Sequence, residues 1–226
     1  MIFEILLKRR DFIIIYKPCG ISVHKDGAEV GLTELIARQL GVAQVWLVHR
    51  LDKVTSGLLL LALNAESAAA LSRLFAEHRI EKTYLALSGQ KPKKKQGLII
   101  GDMRKVRNGA WKLCQSRENP AITRFQSISC EANLRLFVLQ PKTGKTHQLR
   151  VAMKSLGSPI LGDVLYGKNA SAFDRTYLHA ARLQFEFNGE AFDVFAAPQE
   201  GAWWRKASVL AKMAEKPFLG NAQISV

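Results

Sequence analysis

Apolar residues in this chain come mostly in short runs, and the run lengths predict strands more often than helices. Residues 12–16 (Phe-Ile-Ile-Ile-Tyr) are β-branched and aromatic, and Lys17-Pro18-Cys19-Gly20 ends them with a turn before a second short strand at 21–23. Residues 45–48 and 58–63 are continuous apolar runs of interior-strand type, with Thr55-Ser56-Gly57 supplying turn chemistry between them. Further strands are expected at 82–87, at 121–129 and 134–139 joined by a hairpin through 130–133, and at 178–187. Three segments carry helical spacing instead. Residues 33–40 are capped by Thr33 and closed by Gly41, and residues 65–78 are capped by Asn64 with Ala68, Leu71, Leu74 and Phe75 on one face. In residues 145–156, Leu149, Met153 and Leu156 form a stripe closed by Gly157. This helix opens just after a glycine turn, and its N-terminus favours anions. Residues 158–167 read as loop and turn. No internal repeat or long linker divides the chain, so a single mixed α/β domain is expected, with a loose tail after about residue 217.

Composition adds a partner class. The 226 residues are 48% hydrophobic and 23% charged, an ordinary globular balance that buries a real core. Lys and Arg number 33 against 19 Asp and Glu, a net charge of +14. An excess of that size points to a polyanion, most commonly nucleic acid, although basic charge can also serve solubility alone. Lys93, Lys94 and Lys95 crowd a loop that is either a solvated excursion or a phosphate-contacting arm. Asn108-Gly109 predicts a hairpin that would set Arg104, Lys105, Arg107 and Lys112 along one exposed ribbon, with Trp111 there for packing or base stacking. Three cysteines without a CxxC pair argue against a disulfide framework or structural zinc. No secretory charge order and no apolar run near about 20 residues appears, so a reducing, cytoplasmic setting off the membrane is expected.

The candidate chemistry lies between the two central apolar runs, in His49-Arg50-Leu51-Asp52. Asp52 falls on a loop pinned at both ends by strands, which suits a positioned nucleophile or general base. The residues alone leave open that Asp52 only caps the turn or pairs with Arg50 or Lys53. Tyr84, on the predicted strand at 82–87, is by itself an ordinary packing residue.

Three stretches in order resemble the motifs of the RluA-type RNA pseudouridine synthases: His49-Arg50-Leu51-Asp52 with Thr55-Ser56-Gly57-Leu58, Lys82-x-Tyr84-x-Ala86, and Thr143-Gly-Lys-Thr-His-Gln-Leu-Arg150. The opening Lys17-Pro18-Cys19-Gly20 turn and the segments at 158–167 and 178–183 are similar too, so the resemblance spans about residues 11–195. Lys145 replaces the usual Arg and Ala152 the usual second His of the third motif. The resemblance implies one α+β catalytic domain, with a mixed, largely antiparallel sheet, flanking helices and a central cleft. It leaves no room for the S4-like N-terminal domain of many relatives.

By the same resemblance Asp52 is the catalytic aspartate. Tyr84 stacks on the uracil and takes the C5 proton, and Arg150 pairs with Asp52. Arg50 helps extrude the target uridine and Leu149 lines the uracil pocket, while His49, Lys17 and Lys145 are further expected substrate contacts, Lys17 through a phosphate. The reaction exchanges the N1–C1′ bond of a uridine in ribosomal or transfer RNA for C5–C1′, with no metal or other cofactor. Asp52 would act by attack at C1′, by removal of a ribose proton, or by attack at C6. A monomer is expected. A uracil-releasing glycosylase, or a non-catalytic basic RNA-binding or assembly factor, would share many of these features.

Overall fold

The computed structural model describes residues 3–23 and 31–215. His24 of the opening motif and the tail expected to be loose after residue 217 lie outside the described residues.

Two long apolar strands make the centre. β2 (Phe12–Lys17) and β4 (Ser56–Ala62) pair antiparallel and are buried at every position, so their sequences show no alternation. Their side chains divide between two cores: Ile13, Ile15, Leu59 and Leu61 face one, Phe12, Ile14, Tyr16, Leu58 and Leu60 the other. Each fully buried leucine of β4 stabilises the fold by about 2 kcal/mol. β1 (Glu4–Lys8) flanks β2, and the two-residue β3 (Trp46–Leu47) pairs with β4.

β5 (Glu81–Ser88), β6 (Gln96–Gly101), β9 (Ala121–Glu131) and β10 (Leu134–Pro141) form the other wing, and β11 (Leu178–Phe187) enters between β4 and β5. The main path is β1-β2-β4-β11-β5-β10-β9-β6, with β12 (Glu190–Phe195) added on β11. Only the β4–β11 ladder is parallel among the described residues, so the sheet is mixed and largely antiparallel as the family resemblance implied. That ladder is two pairs long, Ser56 with His179 and Gly57 with Ala180. Gly57 has φ +109°, and a Cβ there would lie 2.2 Å from the Ala180 carbonyl oxygen; only glycine fits. β7 (Met103–Lys105) and β8 (Trp111–Leu113) form the predicted basic hairpin, its turn carrying Asn108 at φ +57°.

Four helices cover the sheet. α1 (Leu32–Leu40) buries Leu32, Ile36 and Ala37 and ends at Gly41 in the left-handed region, as predicted. Its N-cap is Gly31, however, and Thr33 makes no cap. α2 (Ala65–Ala76) has the expected Asn64 cap, whose side chain accepts from the Ser67 N–H at 2.7 Å. α3 (Gln148–Ser155) begins later than predicted, because the chain stays in a loop from Thr143 to His147. α4 (Ala207–Ala214), β1, β6 and β12 were not anticipated, and residues 21–23 form no strand.

Candidate active site

The loop between β3 and β4 carries Asp52 and is tied down at successive points. Asp52 accepts from the Thr55 N–H at 2.9 Å through its carbonyl, and Gly20 donates to the Lys53 carbonyl at 2.8 Å. Lys17 adds a buried staple. Its ammonium donates to the carbonyls of Pro18 and Ile21 at 2.8 Å each and of Lys53 at 3.4 Å, and burial pulls its pKa down to about 8. Fully buried and engaged, Lys17 is not the phosphate contact expected from sequence. It fastens the Lys-Pro turn to the aspartate loop.

His49 is likewise internal. Its Nε2 accepts the Leu60 N–H at 2.9 Å, its ring stacks on Phe75 at 4.4 Å, and burial lowers its pKa to about 3. The imidazole is therefore neutral and holds the loop against β4, although it also lines the cleft wall.

Asp52, Tyr84, Leu149 and Arg150 meet in one cleft of about 400 Å³, with Arg50 and Lys145 also in its wall. The convergence expected of the three motifs is present. The guanidinium geometry differs from expectation. Arg150 gives its bidentate pair to Asp163, Nε to Oδ2 at 2.8 Å and Nη2 to Oδ1 at 2.9 Å, and reaches Asp52 through Nη1 alone at 3.6 Å. Asp163 is fully buried, whereas the Asp52 side chain is 19% exposed. Asp163 also accepts the N–H groups of Leu165 and Tyr166. Arg150 sits 5.1 Å from the centre of the Tyr166 ring. The Tyr166 hydroxyl bonds His147 Nδ1 at 2.9 Å and accepts the Trp111 N–H of the hairpin at 2.9 Å. Trp111 thus touches the site through its backbone.

Asp163, Tyr166 and His147 escaped sequence reasoning as site residues, the first two because their segment reads as turn. His147 has φ +56°, a left-handed conformation that costs about 1 kcal/mol in a non-glycine residue and gathers at functional sites.

Tyr84 is buried, and its hydroxyl has no hydrogen-bond partner among the described residues. Burial, and secondarily the charge of Asp52, push its pKa well above the usual phenol value. At neutral pH it is therefore a neutral phenol. Arg50 is exposed at the rim, and Lys145 Nζ donates to Asn119 Oδ1 at 2.7 Å. Lys93, Lys94 and Lys95 are exposed but line no part of the cleft, while Arg104, Arg107 and Lys112 are exposed along the hairpin.

A mixed sheet opening at its centre into a carboxylate-bearing cleft defines a catalytic domain of the pseudouridine synthase fold. The human RNA pseudouridylate synthase domain containing 1 superposes on 87% of this chain and 83% of its own with a TM-score of 0.73 at 26% identity. The RNA pseudouridylate synthase family matches residues 11–155. An uncharacterized RNA pseudouridine synthase of Haemophilus influenzae is 67% identical over 98% of this chain and all of its own length. A tRNA pseudouridine synthase C of Haemophilus ducreyi is 34% identical over 82% of this chain and 86% of its own. The chain spans 58% to 64% of three longer relatives, two of them named as ribosomal large subunit pseudouridine synthases. The chain belongs to the RluA-type RNA pseudouridine synthases, which are isomerases.

Proposed function

We propose that this chain isomerises a uridine of ribosomal or transfer RNA, with Asp52 as the catalytic carboxylate. The observation that carries the assignment of residues is the single cleft shared by Asp52, Tyr84, Leu149 and Arg150. The base, extruded from its stack at a cost of a few kcal/mol, enters between Tyr84 and Leu149 while Arg50 at the rim fills the vacated space. Asp52 then releases N1 from C1′, either by bonding C1′ or by taking a ribose proton. The freed uracil turns and C5 bonds C1′ as the Asp52–C1′ bond breaks or the borrowed proton returns to the ribose; the C5 proton leaves and N1 gains one, so every other atom is retained and no cofactor is consumed.

The position of Tyr84 orders these steps. Its high pKa comes first from burial and then from the negative charge of Asp52. Once Asp52 is neutralised by the sugar carbon or by a proton, the second cause vanishes and the phenol gives up its own proton more readily, leaving the phenolate that can take the one from C5. Protonation chemistry at Tyr84 therefore follows the first step. Arg150, held by Asp163, keeps a positive charge 3.6 Å from the Asp52 carboxylate until then.

Pseudouridine mapping by carbodiimide-blocked reverse transcription tests the proposal. Loss of the gene should remove one or a few sites, and Asp52→Asn should fail to restore them while still binding RNA. An unchanged map across stable RNAs would overturn it. Released free uracil would point to a glycosylase, and full restoration by Asp52→Asn to a non-catalytic RNA-binding role. The enzyme is expected to act as a monomer in the cytoplasm. Among the described residues no helix is long and apolar enough to cross a membrane.

A further inference from the structure

The active-site cleft does not end at Asp52. It shares His78, Lys82 and Pro141 with a neighbouring cavity of about 220 Å³, which in turn shares Arg124 and Gln140 with an open depression of about 420 Å³. Together they form a groove leading from the cleft over Pro141 onto the outer face of β10, β9 and β6. Strand register sets that face in rows. Gln140, Arg124 and Leu98 lie side by side, and Val138, Gln126 and Gln96 form the next row.

The middle cavity gathers positive charge without compensation. Lys142 and Arg124 are exposed and Lys82 is half-buried, and among the described residues none of the three has a carboxylate within salt-bridge distance. Glu81 also borders the cavity, but it is exposed and lies within electrostatic reach of Arg182. Lys82 approaches the Phe75 ring at 5.8 Å. Burial lowers its pKa, and the like charge of Lys142 lowers it further, so the two ammonium groups repel each other across a space that an anion would relieve. Two other surface cations, Arg38 and Lys212, are matched instead, by Glu34 and Glu215.

We propose that Lys82, Lys142 and Arg124 form a subsite for the phosphate of a nucleotide flanking the target uridine, and that the glutamine face beyond it receives single-stranded nucleotides next in line. This rests on the proposal that an RNA uridine occupies the cleft. Continuity of the groove with the cleft favours a connected strand over a free anion. Glutamine side chains on the adjacent rows can donate to and accept from exposed base edges, and Leu98, 55% exposed, offers an apolar surface to a base.

The test compares the R124E/K142E double variant with the R38E/K212E control, whose changes have the same charge but line none of the three cavities. Binding of fluorescein-labelled oligouridylate, twelve nucleotides long, is measured over a salt series. R124E/K142E should bind at least about tenfold more weakly than the control, and its log-affinity against log-salt slope should fall by about 0.7, the share of the one phosphate the subsite holds. With total RNA from a strain lacking the gene, KM should rise while kcat stays within about twofold. The neutral R124Q/K142Q pair should show the same trends with smaller size, and a thermal melt checks that each variant folds. Affinity and slope equal to those of the control would overturn the subsite. A wild-type protein that binds the oligouridylate through these residues yet forms no pseudouridine would instead leave the groove standing and overturn the proposed function.

Discussion

Arg150 touches two carboxylates, and the two sides of its guanidinium are built differently. Toward Asp163 it makes two short, parallel hydrogen bonds around a fully buried acid; toward Asp52 it makes one contact of 3.6 Å to an acid partly open to the cleft. A bidentate buried pair fixes geometry. A single longer contact leaves oxygen lone pairs free for a reacting atom while a positive charge stays beside them. The same cation thus serves as a structural bolt on one side and an electrostatic partner on the other.

Four substitutions or conditions sharpen that contrast, in falling order of effect. Asp52→Asn should lower kcat by at least about 10⁴-fold, since it removes the reacting carboxylate. Its thermal midpoint should barely move, the loss being that of one partly exposed contact worth about 1 kcal/mol or less. Asp163→Asn should do the reverse in emphasis: denaturant unfolding should show a loss of about 3–5 kcal/mol, because a buried guanidinium loses its counter-ion. Activity in the folded fraction should fall less than for Asp52→Asn. Equal stability losses at the two aspartates would break the comparison. Tyr84→Phe keeps the ring and deletes the oxygen, so single-turnover kinetics should show kcat down about 10²-fold with KM changed little.

The smallest effect per unit is the pH dependence of stability. His179 is buried and His49 half-buried, with pKa values near 3 in the folded protein against 6.5 unfolded. Between those limits the unfolded chain binds more protons, so stability falls as pH drops from 6.5 toward 3. Each histidine contributes roughly 1 kcal/mol per pH unit. Denaturant titrations at pH 7 and pH 5 check this, and His49→Gln should flatten the slope.

Much of the framework was legible from residues alone because β2, β4, β5, β9, β10 and β11 carry long apolar runs or clear alternation. β6 was not, since an edge strand with Gly97, Gly101 and an exposed Leu98 has no apolar face to betray it. Among site residues Asp52, Tyr84 and Arg150 were legible through their motifs. Asp163 was hidden because its burial is a tertiary property: a Gly-Asp step after a helix looks like an exposed turn until Arg150 folds over it. Lys17 erred in the opposite direction. A lysine before proline resembles a surface charge, and only the carbonyls of Pro18, Ile21 and Lys53 converging on it make it interior. Arg150 does pair with Asp52 as expected, and what its motif did not announce is the closer bidentate pair with Asp163.

β11, made late in the chain, is the strand that joins the β1-β2-β4 wing to the β5-β10-β9-β6 wing. During synthesis, therefore, two partial sheets wait with unsealed edges until residues 178–187 emerge, a topology that slows folding and exposes sticky strand borders. A nascent or truncated polypeptide lacking that closing strand would already contain Asp52, Tyr84 and Arg150, yet β4, which follows the aspartate loop, would lack its pairing with His179 and Ala180. Competence arrives only once residues 178–187 are made, and ribosome-stalled fragments ending before them should be aggregation-prone and inert.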